Sequence, residues 1–371
     1  MNKVFGFESF EFSTDEVDLC ITKEGGQMAP VTFFPRSGNP VSPYYINPWC
    51  EEKKDHSLPV LLQALRGDFF CLPFGGDNVT AAFSYDCHGP TANGEWRQIH
   101  RDSRSLTLAM DFPDGKAHVQ SKYSTKPGHS AIYIENTVSG CNLKLPYGHH
   151  CILDCSSYLL LSTSPAKFGI VTSESDTPSF DGEYRALVGH GVFESMKQAP
   201  SRFTDFPSFD LTEFPSREGF CDIVQMVNDP KAGEIGWSCA VCPDKGYLWY
   251  SIKKISDFPT TLFWMENKGR HGKPWSGRNV CIGIEDAMSC FAAGAAVSSL
   301  DNELSQRGIQ TARKFSEAKP VTVKIIEGVA RIPSGFTRVK QVRFNAAENT
   351  AMFIDENGTD VLADIDSGFL D

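Results

Sequence analysis

The sequence predicts a mainly β protein built of large antiparallel sheets, with few short helices. Short segments rich in β-branched and aromatic residues recur along the chain, whereas apolar residues at helical spacing are scarce. Turn sequences such as Pro113-Asp114-Gly115 and Ser139-Gly140 separate these segments. The 371 residues include 31 glycines and 22 prolines, which suits a chain that reverses direction often.

Five segments carry the strand prediction most clearly. They are Ser105–Asp111, Ala131–Thr137, Leu159–Ser162, Tyr247–Ile252 and Val321–Ile326. Near the end of the chain, two more strand-like runs flank Asn357-Gly358, and this dipeptide predicts a hairpin with a type I′ turn.

Two segments favour helix. Leu58–Arg66 has one or two turns of apolar spacing, and Glu285–Gly308 is rich in alanine and ends at a glycine suited to a C-cap. The stretch Ala199–Glu218 is rich in Ser, Pro and Phe and is the most linker-like part of the chain. Because strand-like segments of the same kind lie on both sides of it, we expect a single domain spanning residues 1–371.

Charge and hydropathy limit the classes of partner. The net charge of −11 disfavours a nucleic-acid backbone or an anionic membrane as the main partner, since both attract basic surfaces. The first twenty residues lack the apolar core of a secretory signal, and no apolar run approaches the ~20 residues of a membrane span. We therefore expect a cytoplasmic protein with a small-molecule ligand, and the oligomeric state stays open.

The twelve cysteines are expected to be reduced and mostly buried, because the chain is long and carries no export signal. Cys239 and Cys242 form one CxxC pair, and the histidines at 149 and 150 lie near Cys151 and Cys155. A zinc site is conceivable from these residues, but the second group has the wrong spacing for common zinc modules. The sequence therefore predicts neither a metal nor a cofactor.

The segment Leu262–Cys290 is the strongest candidate for a functional site. A basic, glycine-rich loop containing Arg270 leads into an apolar strand that ends at Glu285, and Trp264 precedes the loop. Aromatic faces, cationic donors and one carboxylate at a strand end suit a neutral, ring-shaped, polar ligand. A solvated loop before an ordinary core strand would show the same pattern.

Two earlier segments add titratable groups. His88 opens a run of small residues that ends at Trp96, and His150 lies at the start of an apolar strand. A histidine in such a position suits a general acid, because its pKa lies near neutral pH. Arg66 precedes a glycine-rich turn that brings backbone close to a ligand or to another strand.

These segments, in this order, resemble the galactose mutarotase-like superfamily, the aldose 1-epimerases and their relatives. The motifs are LRGDFFCLPFGGD, HGPTANGEW, LPYGHHCIL and GIED, and together they span roughly 220 residues. The chain departs from the family in having Cys151-Ile152-Leu153 where an aromatic pair usually follows the histidine. It also has Asp286 after the late glutamate.

The resemblance implies a β-supersandwich with a sugar cleft and an isomerase that interconverts sugar anomers. It makes Glu285 the catalytic base and His150 the catalytic acid, with His88 and Arg66 binding sugar hydroxyls. Trp264 and Arg270 are added as substrate contacts from their own sequence context.

Three other interpretations stay open at this point. The fold is equally compatible with a carbohydrate-binding protein without catalysis, because fold does not fix function. A carbohydrate hydrolase or lyase would need a second carboxylate near Glu285, and Asp77, Glu266 and Asp286 are the candidates. A protein without any sugar site would place Glu285 and His150 more than ~10 Å apart.

Overall fold

A computed structural model describes residues 2–53, 55–173 and 183–371. The first strands are β1 (Asn2–Val4), β2 (Phe7–Ser13), β3 (Val17–Thr22), β4 (Met28–Phe33), β5 (Phe70–Cys71), β6 (Asn78–Val79), β7 (Ser84–Tyr85), β8 (Arg97–Arg101), β9 (Ser105–Asp111), β10 (His118–Ser124), β11 (Ala131–Ser139), β12 (Lys144–Leu145), β13 (Tyr147–Asp154), β14 (Leu159–Thr163) and β15 (Ala166–Val171).

The later strands are β16 (Val192–Phe193), β17 (Ala199–Phe203), β18 (Phe206–Phe209), β19 (Glu213–Phe214), β20 (Phe220–Asn228), β21 (Ile235–Cys242), β22 (Tyr247–Lys254), β23 (Thr260–Asn267), β24 (Val280–Met288), β25 (Arg313–Lys314), β26 (Val321–Arg331), β27 (Val339–Asn345), β28 (Thr350–Asp355) and β29 (Asp360–Asp364). The α-helices of the described residues are α1 (Val60–Ala64), α2 (Gly89–Asn93) and α3 (Ala295–Ser298). Short 3₁₀ turns are Met196–Gln198, Pro230–Ala232, Ser305–Arg307 and Ser367–Leu370.

Two large antiparallel sheets dominate the described residues. A nine-stranded sheet has the order β19-β14-β21-β22-β26-β11-β10-β9-β8, and a seven-stranded sheet has the order β16-β15-β20-β23-β24-β13-β5. Their facing sides enclose the largest core, which includes Ile134 and Trp249 from the first sheet and Phe263 and Ile284 from the second. This arrangement is a β-supersandwich, as expected.

Each large sheet also covers a second core on its outer face. The nine-stranded sheet packs there against the three-stranded sheet β27-β28-β29, through Tyr250 and Phe353 among others. The seven-stranded sheet packs against α1, α2 and the preceding loops, through Leu262, Leu61 and Phe69. The candidate functional residues lie in this last layer.

Side-chain alternation in β13 and β24 decides which groups reach which layer. In β13, Cys151 and Leu153 enter the core between the sheets, whereas Ile152 faces the outer layer. His149 therefore points between the two sheets and His150 points outward. In β24 the same alternation turns Glu285 outward and Asp286 inward, so neighbouring residues serve two separate environments.

The strand predictions are confirmed, with small differences at the ends. Ser105–Asp111 coincides with β9, and the other four segments lie within β11, β14, β22 and β26. The predicted C-terminal hairpin is β28-β29. Its turn is not type I′, because Gly358 has positive φ and Asn357 does not. Instead, the Asp355 carboxylate accepts the backbone N–H groups of Asn357 and Thr359.

One helix prediction is confirmed in shorter form and one is largely wrong. Leu58–Arg66 contains α1. Glu285–Gly308 does not form a continuous helix, because β24 runs on to Met288 and only α3 and a 3₁₀ turn follow. Residues 285–287 pair with strands on both sides, and this pairing overrides the alanine-rich composition. Among the described residues, no helix is long and apolar enough to cross a membrane.

The CxxC pair does not form a metal site. Cys239 belongs to the outer core of the nine-stranded sheet, whereas Cys242 belongs to the core between the two large sheets. Residues three apart on a strand point to opposite faces, so one ion cannot reach both thiols.

Candidate active site

His150 and Glu285 face each other across two neighbouring strands. They are directly paired residues of β13 and β24, and His150 Nε2 lies 3.3 Å from Glu285 Oε1. Both side chains are buried. The separation is far below the ~10 Å beyond which two groups could not reach one sugar ring. The strand register alone therefore creates a possible acid–base pair from residues 135 positions apart in the sequence.

Glycine at position 283 makes room for the carboxylate. A Cβ there would lie 2.5 Å from Glu285 Oε1 and 3.1 Å from the Cβ of Trp264. Even an alanine side chain would therefore displace the carboxylate or the indole. The GIED sequence thus combines the reactive group with the small residue that accommodates it.

Phe69, in the LRGDFF motif, holds His150 in position. The ring of Phe69 stacks on the His150 imidazole at 4.8 Å between centroids, and the Phe69 carbonyl accepts the His150 backbone N–H at 2.9 Å. Nδ1 of His150 is buried and has no hydrogen-bond partner among the described residues. The ring is therefore fixed in position with Nε2 toward Glu285.

His88 forms the adjacent wall. Its ring lies 4.9 Å from the His150 ring in an edge-on arrangement, and its φ of 61° places it in the left-handed region just before α2. The backbone N–H of Gly75 donates to His88 Nδ1 at 3.3 Å. Because Nδ1 accepts, a neutral His88 carries its proton on Nε2 and can donate it to a ligand.

Burial shifts the pKa values of Glu285 and His150 in opposite directions. It raises the pKa of Glu285 to about 8, although the positive charge of Arg270 opposes this rise. Burial also lowers the pKa of His150 well below its ordinary value, and the nearby His88 and Arg270 add to the effect. The pKa of His88 falls to about 3 for the same reasons, burial first and Arg270 second. At neutral pH the ligand-free pair therefore keeps its proton on Glu285, opposite a neutral imidazole.

Arg270 supplies the cationic part of the site. Its guanidinium lies between two indoles, 5.0 Å from the ring of Trp264 and 4.9 Å from the ring of Trp275. Its Nε lies 2.9 Å from a carboxylate oxygen of Glu183. A carboxylate oxygen of Glu266 lies 4.0 Å from the same nitrogen. Aromatic faces on both sides and these two carboxylates orient the guanidinium beside the acid–base pair.

These groups line a cleft of about 220 Å³. Its apolar lining consists of Leu61, Leu62, Leu65, Ile223 and Ala292. Glu285 is the one carboxylate among the described residues that line it. The cleft is smaller than the ~300–1,000 Å³ typical for drug-sized ligands, which favours a single small ring. Larger surface depressions of about 440 and 710 Å³ lie elsewhere, and neither is lined by His150 or Glu285.

The structure brings together five of the six predicted site residues: His88, His150, Trp264, Arg270 and Glu285. Arg66 lies outside the cleft. Its guanidinium is buried and donates to the carbonyls of Ala64, Val4 and Phe5, at 2.7, 3.2 and 3.1 Å. Burial lowers the pKa of Arg66 to about 10. Because the guanidinium donates to three backbone carbonyls, two of them in or next to β1, it anchors the N-terminal hairpin β1-β2.

The three carboxylates considered as partners of Glu285 do not line the cleft. Asp286 points between the sheets and forms an ion pair with Lys253, Glu266 is buried and accepts the Arg270 backbone N–H, and Asp77 is exposed. Trp275, Phe69 and Glu183 also contact residues of the site and were not among the six predicted site residues. Phe69 was within a quoted motif, but nothing in the sequence showed that it stacks on His150.

No family model and no curated protein matches the sequence. Solved structures do match, and they share the fold at low identity. A candidate aldose 1-epimerase from Escherichia coli is 13% identical, with a TM-score of 0.58, over 88% of this chain and 99% of its own. A galactose mutarotase related enzyme from Lactobacillus acidophilus is 9% identical, with a TM-score of 0.56, over 88% and 99%. A galactose mutarotase-like protein from Lactobacillus casei is 12% identical, with a TM-score of 0.54, over 87% and 100%.

Proposed function

The chain has the galactose mutarotase-like fold, and we propose that it is an isomerase of the aldose 1-epimerase type, which interconverts the anomers of a free sugar. The observation that carries the proposal is the His150–Glu285 pair, 3.3 Å apart in a cleft of about 220 Å³. Ring opening needs one group that accepts a proton and one that donates a proton on the same small ring. A facing carboxyl and imidazole with oppositely shifted pKa values meet that requirement.

The reaction conserves the single proton of this pair. One group takes the proton of the anomeric hydroxyl while the other protonates the ring oxygen, and the bond between C1 and the ring oxygen breaks. Rotation about C1–C2 and closure on the other face give the second anomer. With Glu285 as base and His150 as acid, as the family resemblance implies, the proton first passes from Glu285 to His150 across their short contact. Entry of a polar sugar favours this transfer, because hydroxyl groups stabilise the ion pair that burial disfavours.

His88 and Arg270 supply donors for the sugar hydroxyls, and the Trp264 indole supplies an apolar face. The cleft lining contains four polar side chains, those of His88, His150, Arg270 and Glu285, beside five aliphatic ones. This composition suits a neutral monosaccharide, in which apolar ring faces alternate with hydroxyl groups. No cofactor is needed for the reaction.

The test is anomer exchange measured by saturation-transfer NMR on a panel of free aldoses, supported by polarimetry. Glu285→Gln and His150→Gln are each expected to lower the exchange rate by roughly 10²–10⁴-fold on the best sugar, because each removes one partner in proton transfer. Asp77→Asn is the matched control, since this exposed carboxylate lies outside the cleft. Exchange that survives in both cleft variants, or that is absent with every sugar, contradicts the proposal.

A second candidate is a carbohydrate-binding protein without catalysis. The observation that favours it is the unpartnered Nδ1 of His150, since catalytic histidines are usually oriented by a hydrogen bond at the second nitrogen. Sugar binding without anomer exchange, seen in the same NMR panel, would support this candidate. Release of monosaccharide from oligosaccharides, followed by chromatography, would instead support a hydrolase.

A further inference from the structure

A second polar cluster lies on the opposite side of the catalytic strands, between the two large sheets. It consists of Asp68, which precedes β5, His149 of β13 and Glu327 of β26, here called the interior triad. One ligand atom from each of the three lies within 4.8 Å of the other two, and all three residues are buried. Neither the proposed epimerase reaction nor the sequence motifs assign a role to this cluster.

Both carboxylates of the interior triad keep one oxygen without a partner. Asp68 Oδ1 and Glu327 Oε1 are buried and accept no hydrogen bond from the described residues. The other oxygens are occupied: Asp68 Oδ2 lies 2.7 Å from His149 Nδ1, and Glu327 Oε2 accepts from the Tyr44 hydroxyl at 2.5 Å. A buried carboxylate oxygen without a donor is costly, and a cation held by both carboxylates would satisfy these two oxygens.

The ion pair between Asp286 and Lys253, in the same interior, shows a buried carboxylate whose two oxygens both have partners. The two oxygens of Asp286 are satisfied by Ser251 and Thr261 at 2.5 and 2.6 Å, and Lys253 lies 2.5 Å from one of them. Asp286 thus has its cation and its donors supplied by the protein. Among the described residues, no lysine forms an ion pair with Asp68 or Glu327, and the group that faces Asp68 is His149.

The second nitrogen of His149 is held in the manner of a metal ligand. Nε2 lies 2.7 Å from the amide oxygen of Asn136, and the amide nitrogen of Asn136 donates to Ser121 at 2.8 Å, which fixes the orientation of the amide. Metal-binding histidines commonly donate one ring N–H to a carbonyl oxygen while the other nitrogen binds the ion. With Nε2–H donated to Asn136, Nδ1 faces Asp68 as the available ligand.

We propose that the interior triad binds one divalent transition-metal ion through His149 Nδ1 and the carboxylates of Asp68 and Glu327. Two carboxylates and a neutral imidazole balance a charge of +2, so the ion leaves no net charge in the interior. Imidazole with carboxylates suits Zn²⁺, Mn²⁺ or Fe²⁺ better than Ca²⁺ or Mg²⁺, which take oxygen ligands. An ion at about 2.1 Å from each atom holds them about 3.4 Å apart. The 2.7 Å contact between Asp68 Oδ2 and His149 Nδ1 would therefore open by roughly 0.7 Å, whereas ligand atoms that lie up to 4.8 Å apart would close by roughly 1 Å.

Such an ion would join the two large sheets, since His149 belongs to one and Glu327 to the other. It would also lie directly behind His150 on the other face of β13. The proposal does not depend on the epimerase activity, and its readouts are metal content and stability.

The experiment uses the full chain, freed of metal by unfolding in denaturant with a chelator and refolded with or without Zn²⁺. We expect about one bound zinc per chain by elemental analysis and a melting temperature raised by several degrees. X-ray absorption should show only nitrogen and oxygen neighbours at about 2.0–2.2 Å. Less than ~0.1 zinc per chain, or a sulfur shell at about 2.3 Å from the cysteines, overturns the proposal.

Glu327→Gln and Asp68→Asn should each lower zinc content at least ten-fold, because each replaces a carboxylate ligand by an amide. Asp286→Asn is the matched control, a buried carboxylate between the same sheets that is outside the triad, and it should keep its zinc. Zinc retained in both triad variants overturns the assignment. If a triad variant does not fold, the effect of Zn²⁺ on the refolded wild-type chain still decides the question.

Discussion

Replacement of Glu285 by glutamine should make the protein more stable at alkaline pH, and the gain should disappear in acid. Burial raises the pKa of Glu285 from its ordinary value of 4.5 to about 8 in the folded chain. Between these two values the folded state keeps a proton that the unfolded chain has lost. The free energy of unfolding therefore falls as pH rises from about 4.5 to about 8, and it is constant beyond.

The size of the effect follows from the shift. About 3.5 pKa units at about 1.4 kcal/mol each give roughly 5 kcal/mol as an upper bound at pH 8. Glutamine has nearly the shape of the protonated carboxyl and does not ionise. The difference in free energy of unfolding between E285Q and the wild type should therefore be small at pH 4.5 and reach a few kcal/mol at pH 8.

Urea unfolding followed by tryptophan fluorescence at pH 4.5, 6 and 8 measures this difference. At each pH, the free energy of unfolding of the wild type is subtracted from that of E285Q. This difference cancels the contribution of every titrating group that the two proteins share. D77N, which changes an exposed carboxylate, should follow the wild type at all three values. A constant difference between E285Q and the wild type across this range would refute the idea that desolvation holds the proton on Glu285.

Three further outcomes are expected. Gly283→Ala should lower the anomer exchange rate at least ten-fold while the chain stays folded, because the new Cβ occupies space held by the Glu285 carboxylate; exchange NMR and circular dichroism together test this. Arg66→Met should cost about 3 kcal/mol in urea unfolding by leaving three backbone carbonyls without a donor, yet the folded variant should keep its exchange rate. His88→Phe should raise KM more than it lowers kcat, since it removes a hydrogen-bond donor to the sugar but neither partner in proton transfer; equal losses in both would place His88 in the chemistry.

The strand content could be predicted because the chain is locally consistent. Segments such as Ala131–Thr137 combine β-branched or aromatic residues with turn signals at both ends, so local preference and the final sheet agree. The helix prediction for Glu285–Gly308 was largely wrong for the opposite reason. The alanine-rich composition of this segment favours helix, but residues 285–288 continue a central strand that pairs with the preceding strand β23 on one side and with the distant strand β13 on the other.

The candidate site shows the same division between local pattern and tertiary pairing. Period-two alternation predicts that His149 and His150 face opposite sides of a strand, and likewise Glu285 and Asp286. It does not predict which member of each pair faces the cleft, because that depends on which face of β13 and β24 covers the core. Family resemblance supplied that choice for His150 and Glu285, and their cross-strand pairing agrees with it.

Arg66 lies outside the cleft, although the family resemblance assigned it to sugar binding. The LRGDFF motif keeps its place in the order of motifs, yet the guanidinium binds the carbonyls of residues 4, 5 and 64, and Arg270 is the arginine that lines the cleft. Chemistry alone does not fix the strand or loop that delivers a cation to the acid–base pair. Here the loop after β23 delivers Arg270, which lies between Trp264 and Trp275, so Trp264, which the sequence indicated as a substrate contact, also orients the arginine. Sequence motifs are therefore expected to identify the proposed proton-transfer pair, whose positions are tied to paired strands, more securely than residues proposed to bind a substrate from loops.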